Sequence, residues 1–102
     1  MGRITKEKRA LIISLIEQDL IYFRFMSTLG AIQLIADSFV LEIDEIILKQ
    51  AGIADHEDID NIYDQYMQLS KKAITFETEN LQDDIHELAV EIWQYLEQFT
   101  RK

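Results

Sequence analysis

At 102 residues with 48% hydrophobic side chains, the chain fits one domain spanning 1–102, and it is too apolar for a disordered segment. No prolines and only three glycines argue against a turn-rich β fold, and the lack of cysteine excludes disulfides, thiolate metal sites and cysteine nucleophiles. A net charge of -9 disfavours binding to nucleic acid or to an anionic membrane and favours a basic protein partner.

The chain opens with Arg3, Lys6, Lys8 and Arg9 ahead of the apolar run Ala10–Ile13. This order is similar to that of a secretory leader, but the run ends at Glu17-Gln18-Asp19 without a small-residue cleavage site, so a leader is not expected. Phe25 to Leu41 is too short and too polar, with Gln33 and Asp37, for a membrane span. A cytoplasmic location is the expectation that follows.

Residues 5 to about 29 read as a first long helix capped by Thr5. Leu11, Ile12, Leu15, Ile16, Leu20, Phe23 and Met26 follow helical spacing, while Ile13, Ile21, Tyr22 and Phe25 fall off that stripe. A helix apolar on most sides is either central in a bundle or buried against a second chain. The helix either runs through Gly30 or restarts near Ala31. Asp37-Ser38 offers a break, and Phe39–Ile43 reads as a buried connector.

A short helix is expected over Asp44–Ala51, capped by Asp44 and ended by Gly52. The next is expected to begin at an Asp55 cap, with Glu57 and Asp58 at its positive end and Lys71 and Lys72 in its last turn. Ile59, Ile62, Tyr63, Tyr66 and Met67 form its apolar face. The last helix runs from Thr78 or Asn80 to about Thr100. Its Leu81, Ile85, Leu88, Ile92, Tyr95 and Phe99 form a seam of period 3.5, widened by Ala89, Trp93 and Leu96, and Arg101 and Lys102 close it. The fold expected is all-α, a small bundle of four to five helices with long first and last helices. The basic first ten residues are expected to lie against one of the acidic helices.

Chemistry is sparse. Of the two histidines, His86 and the following Leu88 resemble the motif of histidine phosphotransfer domains, which are acidic helical bundles. The likeness stops there, because Ala89 and Val90 stand where that motif carries lysine and glycine. Asp83 and His86 have a carboxylate–histidine metal spacing, but His56 has Ile53 at the matching position, so the second pair of a di-metal bundle is missing. Asp55, Glu57, Asp58 and Asp60 lack the glycine and the final glutamate of a calcium loop. No phosphate-binding loop, dinucleotide pattern or nucleophile elbow is present, and an enzyme is not expected; neither is a cofactor or a bound metal.

Three readings follow. The first is a protein–protein interaction module that self-associates, as a dimer, through apolar helix faces at Ile13, Ile21, Tyr22, Phe25 and Trp93. The second is an acidic binder that neutralises a basic protein through Asp58, Asp60, Asp64, Asp84, Glu87 and Glu91; small immunity and antitoxin proteins offer an analogy of size and charge. The third, a metal- or phosphate-carrying bundle built on His86, ranks last.

Overall fold

The computed structural model describes residues 4–29 and 43–100. Within them lie four α-helices and no strand: α1 (Lys6–Leu29), α2 (43–51), α3 (Ile59–Ser70) and α4 (Leu81–Glu97). Two 3-10 turns, Lys71–Thr75 and Thr78–Asn80, join α3 to α4. The small all-α bundle expected from the sequence is therefore observed. Gly30, the stretch after it to Glu42, the basic Arg3, the closing Arg101 and Lys102, and the Met26 side chain lie outside the described residues.

Thr5 caps α1 as its sequence suggests: the Lys8 amide donates to Thr5 Oγ1 at 3.1 Å. The other two aspartate caps expected from the sequence are not formed. Asp44 lies inside α2 and is 1% exposed. At α3 the chain turns three residues later than Asp55 implies. The Ile59 amide donates to the His56 carbonyl at 3.1 Å, and the Asp58 amide donates to His56 Nδ1 at 3.0 Å. An imidazole thus takes an amide at a helix start, where a carboxylate was expected. Lys71 and Lys72 fall beyond α3, in the 3-10 turn, because the helix tightens at Ser70. Helix α4 likewise ends at Glu97, short of Thr100.

Gly52 ends α2 in the left-handed region, at φ +77°. Its amide donates to the Lys49 carbonyl and the next amide, Ile53, donates to the Leu48 carbonyl, both at 3.0 Å. This paired closure satisfies carbonyls that the helix leaves open, and it drives Ile53 into the core, 1% exposed.

One core joins all four helices. Ile12, Ile16 and Leu20 of α1 meet Ile47 and Leu48 of α2, Ile62 and Tyr66 of α3, and Ile85, Leu88, Ile92, Trp93 and Leu96 of α4. The period-3.5 seam of α4 is legible here as its buried side, while Tyr95 and Phe99 sit at its edge. Phe99 stacks edge-on against both Tyr95 and His56, at 5.3 Å between ring centroids in each case.

Candidate functional site on the outward face of the first helix

On α1, Ile12, Ile16 and Leu20 define the inward side. Half a helical turn away lie Leu11, Ser14, Gln18, Ile21 and Phe25, all exposed. They step by three, four, three and four residues, so they form one stripe about 21 Å long at 1.5 Å per residue. Leu11, Ile21 and Phe25 keep 47%, 50% and 56% of their surface in contact with solvent.

This stripe carries no charge. The charged residues of the same stretch are turned elsewhere: Glu17 pairs with His86 of α4, Asp19 is buried, and Arg24 donates to the Phe76 carbonyl at 2.9 Å. In a chain of net charge -9, a charge-free face with three half-exposed large apolar side chains is a departure from the rest of the surface. Ile21 also lines an open groove of about 580 Å³ bounded by Glu17, the 78–83 segment and Ile85. Beside the apolar stripe, that groove is acidic through Glu17, Glu79 and Asp83.

The five residues assigned to an interface from sequence divide three ways. Ile21 and Phe25 stand on the stripe, and Tyr22 is half-buried at its edge. Ile13 and Trp93 do not belong there. Ile13 is 6% exposed and Trp93 1%, both packed in the chain's own core. Helix α1 packs against both α4 and the 71–75 turn, so its buried side is wide and Ile13 falls off the stripe yet remains inside. Trp93 fills the centre, the largest of the fully buried side chains. Leu11 goes the opposite way: helical spacing groups it with Ile12 and Ile16, but it points outward. Ser14 and Gln18 were missed because neither is apolar; their signal is the lack of charge at the outward positions between Leu11 and Phe25, which ends one turn earlier at the exposed Glu7.

Of the acidic residues, Asp58, Asp60, Asp64, Glu87 and Glu91 are exposed and Asp84 is half-buried. Glu91 accepts from Lys72 Nζ at 3.0 Å. Among the described residues, Lys6, Lys8 and Arg9 form no ion pair with an acidic helix, and Arg3 lies outside them. His86 is exposed, its Nδ1 bonded to Glu17, and no cluster of three or more histidine or acidic side chains among the described residues is placed to hold a metal. No described helix is long and apolar enough to cross a membrane.

A second, buried feature was not legible in the sequence at all. Asp19 of α1 and Asp44 of α2 are 2% and 1% exposed. Tyr66 of α3 donates its hydroxyl to Asp19 Oδ2 at 2.6 Å. The Asp44 carboxyl lies within reach of Asp19 and of the Tyr63 and Tyr66 hydroxyls. Even so, neither Asp44 oxygen, nor Oδ1 of Asp19, has a close hydrogen bond of ordinary geometry with a described residue. Burial, then Asp19 beside it, push the Asp44 acid up to about 9, and burial also raises Asp19. The Tyr66 phenol is held well above its usual range by the same burial and by the two carboxyls.

Compared with protein-family models, curated proteins and solved structures, the chain matches none.

Proposed function

We propose that the chain is a cytoplasmic protein–protein interaction module that self-associates through the outward face of α1. The observation that carries this reading is the uncharged stripe of Leu11, Ser14, Gln18, Ile21 and Phe25 on an otherwise strongly acidic chain. Two copies meeting there would cover six large apolar side chains, each already about half out of water. Complete burial of such a side chain is worth roughly 1.5–3 kcal/mol, so about half of that remains to be gained per residue. One helix face lies at the small end of specific interfaces, so the expected dissociation constant is about micromolar or weaker.

Charge favours an antiparallel pair. Lys6, Lys8 and Arg9 stand at the positive end of α1, and its last turn holds no cation. A parallel partner would bring two basic ends and two like dipole ends together. An antiparallel partner would set each basic end beside the other copy's carbonyl end, where cations are favoured. Leu11 of one copy would then approach Phe25 of the other, with Gln18 near the crossing.

Light scattering at rising protein and salt concentration tests the reading. Both copies carry charge -9, so screening is expected to tighten the dimer. A mass that stays monomeric at every concentration and salt would end it.

The exposure of Asp58, Asp60, Asp64, Glu87 and Glu91 supports a second reading, in which the acidic helices neutralise a basic protein. That association would weaken as salt rises, the reverse of the first.

A further inference from the structure

We infer that Asp19 and Asp44 hold α2 against α1 and α3 through a single shared proton, so that α2 leaves its seat only with release of that proton to solvent.

The inference begins from geometry. Two carboxyl groups from different helices lie within reach of one another in a site closed to water. Tyr66 donates to one of them, and no described cation or backbone amide bonds the other three oxygens. Two adjacent carboxylates cannot both remain ionised at such burial, whereas one proton between them converts repulsion into a hydrogen bond. The titratable groups acting on Asp44 are Asp19 from α1 and Tyr63 and Tyr66 from α3; those acting on Asp19 are Asp44 and Tyr66. Among the described residues, α4 contributes none. The tyrosines stay protonated throughout the neutral range, and Tyr66 already spends its hydrogen on Asp19 Oδ2. The remaining proton is therefore held by the pair, both of whose acids burial displaces upward.

Helix α2 is anchored beside this pair by Ile47 and Leu48 on its inner side, while Ile46 is half exposed on its outer side. In its seat, Asp44 keeps a proton up to about pH 9. In water it would lose the proton near the ordinary aspartate value of about 3.9. Between those limits each undocking event liberates one proton, and the undocking constant is expected to rise about tenfold per pH unit. The sensitivity thus covers the neutral range even though the docked acid titrates above it.

The test is residue-resolved amide hydrogen exchange on the whole chain at pH 6, 7 and 8, with the intrinsic exchange rate divided out. The expected result is that Ile47 and Leu48 amides open more readily than those of α4, with an opening constant rising about tenfold per pH unit. In Asp44→Asn the amide supplies its own hydrogens to Asp19, so the rise is expected to vanish while α2 stays protected. If that variant does not fold, Asp44→Ser, which likewise removes the titrating carboxyl, serves the same purpose. The inference is overturned if α2 opening is indifferent to pH in the unaltered chain, or if α2 opens only together with α4. It is equally overturned if the rise persists in the asparagine variant. Magnesium or calcium chloride, added at about millimolar concentration, provides the last arm. Abolition of the rise by either salt would mean that the carboxyl pair is seated by a cation, and the proton assignment would fall.

Discussion

In α2, a side chain that local rules assign to a helix cap is instead sealed inside the bundle beside a second carboxyl, and the cost of that placement depends on pH. Asp44 keeps its proton when folded and releases it when unfolded, because its folded value of about 9 lies well above the ordinary aspartate range. Where the folded chain binds the extra proton, stability falls as pH rises. The decline runs from about pH 4 to about pH 9 and flattens beyond it. Urea denaturation of the unaltered chain is therefore expected to lose about 1.4 kcal/mol for each pH unit between pH 5 and 8. Asp44→Asn is expected to be flatter over the same range and the more stable of the two at pH 8. A parallel pair of stability curves would show that the carboxyl does not keep its proton.

At the scale of the helix, inward and outward sides of α1 make opposite predictions. Ile21→Glu together with Phe25→Lys is expected to abolish self-association while lowering unfolding free energy by about 1–3 kcal/mol, since about half of each side chain is buried in its own chain; the folded monomer remaining after that loss is what circular dichroism checks. Orientation can be read separately, because the chain has no cysteine of its own. Under mild oxidation, Leu11→Cys mixed with Phe25→Cys is expected to give disulfide-linked heterodimers, and neither variant alone is expected to link. Linking of Leu11→Cys with itself would indicate a parallel pair. How much of this was legible in the sequence depends on what periodicity measures. Spacing reports angles around one helix axis, which is why the α4 seam and the general course of α1 could be read directly. It does not report how wide an arc the neighbouring helices cover, and so Ile13 and Leu11 exchanged places. Gly52 was legible because a positive φ needs no tertiary information. The Asp19–Asp44 pair was not, because its members lie 25 positions apart and each has an ordinary local explanation.

Across the whole molecule, the question is how charge and apolar surface are divided. Acidic side chains dominate α3 and α4, whereas α1 carries basic residues at its start and none on its outward stripe. Salt therefore separates the two binding readings by sign. Sedimentation or light scattering between about 50 mM and 500 mM salt is expected to show tighter self-association at the upper end, where the Debye length has shrunk from about 14 Å to about 4 Å. Loss of dimer at high salt would instead point to the acidic faces as the contact.

Trp93, the chain's one tryptophan, lies at the centre of the bundle and 1% exposed. The molecule thus carries a built-in optical reporter that is blind to its own proposed interface. Docking of a second copy on α1 would leave the indole's surroundings unchanged, while loosening of the core would wet it and shift its emission to the red. Titrations followed by fluorescence will accordingly register melting rather than pairing, so mass and emission measured on one sample separate the two processes without any label.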